Sequence, residues 1–223
     1  MLKTVIVSLF AHGLLLTSAA FAEQASSHEI YVEEVSQQDL GDTIILGDSI
    51  FALNGEIERR LERNSGQRIT SYARNGAEMD DVVQQYYRAR ARGIPQTVIM
   101  NGGGNDVLGN ITSCRFLNSR CVNAIEGAID QGVDLIQLME DDGVERIVYL
   151  GYYYTKFIGG GLDNAIDYAM ARIPQICGAT NLPCDVVETR RLMNGFGNRI
   201  IDGIHPTFRG SRKMADAIWE VLR

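Results

Sequence analysis

Short apolar runs alternate along the chain with longer stretches in which apolar residues recur every three or four positions. The runs read as buried strands, and the recurring positions as one face of a helix. Thr43–Leu46 is the first run. Residues 51–63 follow as a helix, with Phe51, Leu53, Ile57 and Leu61 on one face and Asn64-Ser65-Gly66 as its stop. Residues 68–73 form a second strand, and residues 79–92 a helix closed by Gly93 and Pro95. Thr97–Met100 is the third strand and leads into the glycine-rich residues 101–105. Residues 122–140 form a helix with Ile125, Ile129, Val133, Ile136 and Leu138 at its apolar positions. Arg146–Leu150 is the fourth strand, residues 162–176 are helical until Pro174 perturbs them, and residues 185–187 are a short fifth strand. Phe208–Leu222 closes the chain as a helix that turns Met214, Ala217, Ile218 and Val221 inward.

Strands alternating with helices imply a parallel sheet covered on both faces, a three-layer α/β/α sandwich. Five strands suit the flavodoxin-like order 2-1-3-4-5, whose ligands bind beyond the carboxyl ends of the strands near the switch between strands 1 and 3. Four polar or glycine positions fall at such ends. Ser49 follows strand 1, Gly76 strand 2, Asn105 strand 3 and His205 strand 5.

Ahead of the first strand the pattern changes. Lys3 and the apolar residues 4–22 end in Ala20-Phe21-Ala22, a small-x-small cleavage site before Glu23. Residues 1–22 therefore read as an export leader, residues 23–40 as a polar arm, and residues 41–223 as one domain. An uncleaved anchor is the alternative, since the stretch is nearly long enough to span a bilayer. No other stretch is. The formal net charge is −7, and losing Lys3 with the leader brings it near −8. No basic patch points to nucleic acid.

Export makes the four cysteines interpretable as a disulfide framework. Cys114 with Cys121 and Cys177 with Cys184, two local loops, is the simplest of three pairings; free buried thiols are the alternative. Zinc is disfavoured, because CxxC spacing and a spare histidine are both missing. Glu140-Asp141-Asp142 lacks the calcium-loop pattern and reads as a solvated helix end. No metal or organic cofactor is expected.

The chemistry concentrates in two motifs, Gly47-Asp48-Ser49 and Asp202-Gly203-Ile204-His205-Pro206. The chain has three histidines, and His12 and His28 both precede the first strand. A Ser, a His and an Asp can serve as nucleophile, proton acceptor and orienting carboxylate. Each motif also has an ordinary reading. Asp48 and Ser49 are preferred N-cap residues, and residues 202–205 can be a loop with a solvated histidine. Asn101-Gly102-Gly103-Gly104-Asn105-Asp106 reads as a flexible loop that offers the Asn105 amide to an oxyanion, or as a plain turn. It lacks the GK[ST] of a phosphate loop. Asn75-Gly76 is a turn whose Gly76 N–H a ligand could approach closely. Tyr152-Tyr153-Tyr154 either lines a pocket or packs in the core.

Taken in order, these stretches resemble the SGNH/GDSL hydrolase family across nearly the whole domain. Gly47-Asp48-Ser49 is similar to the block that carries the nucleophile, Asn75-Gly76 to the glycine oxyanion donor, Gly103-Gly104-Asn105-Asp106 to the asparagine donor, and residues 202–206 to the block with Asp and His. The resemblance implies a serine esterase. Ser49, Asp202 and His205 would be catalytic, and Ser49, Gly76 and Asn105 would form the oxyanion hole. The substrate would be a small-molecule, glycan or lipid ester, or a thioester, and the loops around Cys114 and Cys121 and around residues 152–162 would shape its pocket. A glycan O-acyltransferase or deacetylase of the same fold and a non-catalytic exported binding module remain as rivals, with a flavin-binding protein further off.

Overall fold

The computed structural model describes residues 40–156 and 160–223, all within one compact unit. The leader read at residues 1–22, and the arm apart from Leu40, lie outside the described residues. Five parallel strands, β1 (Thr43–Leu46), β2 (Ile69–Ser71), β3 (Thr97–Met100), β4 (Arg146–Leu150) and β5 (Cys184–Val187), form one sheet in the order β2-β1-β3-β4-β5. β1 pairs Thr43 with Ile69 of β2 on one side and with Thr97 of β3 on the other.

Successive strand side chains point to opposite faces, so each strand feeds two cores. Ile44, Leu46, Val98, Met100, Ile147 and Tyr149 pack against α3 (Met79–Arg90), α6 (Ser119–Asp142) and α7 (Asp163–Arg172). Ile45, Ile99, Val148 and Leu150 pack against α2 (Glu56–Ser65) and α9 (Phe208–Leu222). Each fully buried Ile or Leu contributes about 1.5–3 kcal/mol, so the two apolar layers, not strand length, hold strands of three to five residues in place.

The helix expected over residues 51–63 is broken. It forms α1 (Ser49–Ala52) and α2, because Gly55 adopts φ +59° and the Asn54 side chain accepts the Glu56 N–H at 3.0 Å. The loop expected through Asn105 also ends early, since Gly104 opens α4 (Gly104–Gly109). A short α5 (Ile111–Cys114) that carries no apolar periodicity follows. The acidic cluster is not merely solvated. Glu140 accepts hydrogen bonds from Thr180 and Asn181, and Asp142 accepts from Tyr86 and pairs with Arg90 at 2.8 Å. The α7 helix stops before Pro174, which starts α8 (Pro174–Cys177). Both disulfides take the local pairing, Cys114 with Cys121 across α5 and α6, and Cys177 with Cys184 across α8 and β5. Among the described residues no helix is long and apolar enough to cross a membrane.

Candidate active site

Ser49 is the first residue of α1, immediately beyond the carboxyl end of β1, and is 8% exposed. The turn that presents it is tightly specified. A Cβ on Gly47 would collide with the Asn101 side chain, and the glycine's φ of +146° disfavours any other residue. Gln85 holds the Gly47 peptide from both sides, accepting its N–H at 2.6 Å and donating to its carbonyl at 2.9 Å. Asp48 is 2% exposed and N-caps α1, accepting from the Ile50 N–H at 2.8 Å. Its carboxylate also accepts from Asn101 Nδ2 at 2.9 Å and from the Tyr152 hydroxyl at 2.6 Å. Three donors thus satisfy a buried carboxylate that would otherwise be strongly unfavourable.

His205 and Asp202 lie on a hairpin between β5 and α9, where Arg199 bridges to Pro206. Asp202 Oδ1 accepts the N–H groups of Ile204 at 2.8 Å and His205 at 3.0 Å, which bends the chain back on itself. Gly203 at φ +74° lies against Lys156, whose N–H donates to the Gly203 carbonyl at 2.9 Å; a Cβ there would strike the Lys156 carbonyl. Tyr153 donates to the Ile204 carbonyl at 2.6 Å, and Asn54 donates to the Pro206 carbonyl at 3.2 Å. The hairpin is therefore fastened to the β4 exit and to the α1–α2 junction at once.

These two supports bring the sequence-predicted trio into line. His205 Nε2 lies 2.9 Å from Ser49 Oγ, and His205 Nδ1 lies 2.5 Å from Asp202 Oδ2. A carboxylate on Nδ1 favours the proton there, which leaves the Nε2 lone pair facing the serine hydroxyl. Partial burial opposes ionisation of Asp202, but the His205 ring and the two backbone N–H groups outweigh it and hold the carboxyl below its usual range.

Asn105, in the first turn of α4, lines the same cavity as Ser49. Its amide donates one proton to the Ala77 carbonyl at 2.9 Å, which leaves the second available. Gly76, at φ +76°, sits in the turn after β2 beside Ala77, and that turn is tied to the Ser49 loop through the Arg74 N–H to the Gly47 carbonyl at 3.0 Å. The N–H groups of Ser49 and Gly76 have no hydrogen-bond partner among the described residues. A Cβ on Gly76 would meet nothing, so the backbone conformation, not a close approach, requires glycine.

Sequence reasoning missed the supports. Gln85 is fully buried on α3 among Val82, Tyr86 and Ala89, and a polar residue inside an apolar stripe was its only signal. Asn101 sits in a stretch whose glycines read as a flexible loop or a plain turn, with no sign of its contact to Asp48. Tyr152 and Tyr153 were assigned to pocket or core, and they do both while also holding Asp48 and the His205 hairpin. Tyr152, Tyr153, Thr155 and Leu162 line the cavity, whereas no residue between Cys114 and Cys121 is among its walls. Among the described residues no group of three or more His, Cys, Asp or Glu side chains could hold a metal ion.

No curated protein matches the chain in sequence. Solved structures do match in fold. A lipase from a goat rumen metagenome, Lip_vut3, aligns with a TM-score of 0.66 at 15% identity, over 81% of this chain and 96% of its own. A catalytic mutant of the acetylxylan esterase Axe2 from Geobacillus stearothermophilus aligns with a TM-score of 0.64 at 15% identity, over 82% and 94%. A GDSL-like lipase from Bacteroides thetaiotaomicron aligns with a TM-score of 0.63 at 15% identity, over 82% and 88%. The family model described as GDSL-like Lipase/Acylhydrolase matches residues 44–218. That span runs from the first strand to the last helix, and on it the chain belongs to the GDSL-like lipase/acylhydrolase family of ester-hydrolysing enzymes.

Proposed function

We propose that the protein is an exported serine esterase that works through an acyl-enzyme on Ser49. The observation that carries this reading is the continuous relay from Asp202 Oδ2 through the His205 ring to Ser49 Oγ, with contacts of 2.5 and 2.9 Å. Ser49 Oγ attacks the ester carbonyl carbon while its proton passes to His205 Nε2. The negative charge that develops on the carbonyl oxygen is received by the Ser49 N–H, the Gly76 N–H and the free amide proton of Asn105. Asp202 stabilises the imidazolium so formed. His205 then protonates the departing alcohol or thiol as its bond to the acyl carbon breaks. Water gives its proton to the same ring and attacks the acyl carbon, and His205 returns that proton to Ser49 Oγ as the acyl–oxygen bond breaks and the acid leaves.

The two disulfides support folding in an oxidising compartment, consistent with the leader read at residues 1–22. The test is hydrolysis of p-nitrophenyl acetate by wild type and by Ser49→Ala, with a fluorophosphonate probe as a second readout. The expected result is a fall in kcat on the order of 10⁴ or more and loss of labelling. A folded Ser49→Ala protein that keeps most of its turnover overturns the nucleophile assignment.

A further inference from the structure

The cavity beside Ser49 does not stop at the reacting atoms. It continues inward between α4, α6 and α7, walled by Leu108, Ile125, Ile129, Ile166, Ala169 and Ile173. Three tyrosines also face it, yet their hydroxyls are all engaged: Tyr149 with the Gly102 carbonyl at 2.7 Å, Tyr152 with Asp48 at 2.6 Å and Tyr153 with the Ile204 carbonyl at 2.6 Å. They show the cavity their rings. A sugar entering here would lose water and gain few hydrogen bonds, whereas a hydrocarbon would replace empty apolar space with dispersion contacts.

Depth can be read from the helix. In a parallel sheet the helix after β4 runs back from the carboxyl edge of the strands, where Ser49 sits, and the cavity-lining stretch of α7 and its caps, from Leu162 to Ile173, covers about 16 Å at ~1.5 Å per residue. An extended chain of single bonds advances roughly 1.2 Å per bond, so the cavity takes a chain of roughly eight to twelve carbons. We infer that this cavity is an acyl tunnel, and that the substrate is an ester or thioester of a straight medium-length fatty acid. The carbonyl lies at Ser49, the chain points towards Ile173, and the alcohol or thiol portion stays outside. The inference rests on the reading of Ser49 as nucleophile.

The test is a p-nitrophenyl ester ladder from acetyl to palmitoyl, kept below micelle formation, with Ser49→Ala as control. Each added methylene within the tunnel should raise kcat/KM by up to about fourfold, so octanoyl should exceed acetyl by a hundredfold or more. In Ala169→Phe, which plugs the tunnel, that ratio should fall below about tenfold. Ile173→Ala, which lengthens the tunnel and carries the test if the first variant does not fold, should move the optimum to longer chains. Serine-dependent acetyl turnover that is flat or falls along the ladder overturns the tunnel and leaves the esterase reading intact. An optimum unmoved by Ile173→Ala also overturns it. Should the folded wild type turn over no ester, calorimetry of dodecanoate with Ser49→Ala decides. Saturable binding lost in the Ala169→Phe background upholds the tunnel, and its absence removes it.

Discussion

Asp48 shows how much of this site lies behind the reacting atoms. Its carboxylate is buried, and its position under α1 depends on the Tyr152 hydroxyl, which in turn accepts the Gly104 N–H at 3.0 Å. One phenol therefore ties the Ser49 turn to the helix that carries Asn105. Tyr152→Phe keeps the ring against the cavity but leaves one carboxylate oxygen and one N–H short of a partner, a loss of about 1–3 kcal/mol. We expect kcat on p-nitrophenyl acetate to fall about tenfold, together with a lower Tm; a variant that matches wild type in both would show that the bond is incidental. Asn105→Ala should act differently, lowering kcat by on the order of 10²–10³ with little change in Tm. An unchanged kcat there would make Asn105 a turn residue only. The contact that joins Ser49, His205 and Asp202 was legible in the sequence because few residue types can form such a relay and one histidine follows the first strand. Tyr152 was not, because its partner is 104 positions away, and no local pattern reports a contact of that kind.

Elements were legible where periodicity and punctuation agree. Thr43–Leu46, Thr97–Met100, Arg146–Leu150 and Phe208–Leu222 stand as read, since each is an apolar run or stripe between clear breakers. The helix over 51–63 breaks because Asn54 accepts the Glu56 N–H and Gly55 turns left-handed, a local signal that an apolar stripe running across it hides. That break matters, because it frees Asn54 to reach Pro206 and Ser211. The His205 hairpin depends on a second such turn. In Gly203→Ala a methyl group meets the Lys156 carbonyl at a backbone conformation that alanine disfavours. The hairpin must shift, and with it the ring that faces Ser49. Activity should drop by at least 10²-fold while Tm falls by only a few degrees, because the hairpin is peripheral to both cores. A global loss of folding, seen as a missing cooperative melt, would show instead that the hairpin is needed to build the domain.

At the scale of the whole molecule, Ser49 and His205 belong to opposite ends of the chain, and the packing of α2 on α9 sets their separation. Glu56, whose side chain is 6% exposed, is the polar lock in that packing. It accepts from Arg212 of α9 at 2.8 Å and from Arg63 of its own helix at 3.1 Å, with Arg59 at 3.4 Å. The Arg212 bond is the main reason its carboxyl titrates below the ordinary 4.5; burial opposes the shift, and the charge of Arg212 with the Arg59 and Arg63 bonds adds to it. The sign follows from linkage. A carboxyl with a lowered folded-state pKa contributes stability that is complete above its unfolded value and is lost as pH falls through the folded one. The arginines are about half exposed, so solvent screening keeps the contribution near 1 kcal/mol, or about 2–4 °C in Tm for a domain of this size. Glu56→Gln should therefore melt below wild type at pH 7 and pH 5, and the gap should close as pH drops below about 4.5. Asp202 and the other carboxylates with lowered values are present in both proteins, so their acid loss cancels in the difference. A gap that stays constant down to pH 3 would mean that Glu56 acts through shape alone, and that apolar packing by itself holds Ser49 and His205 in register.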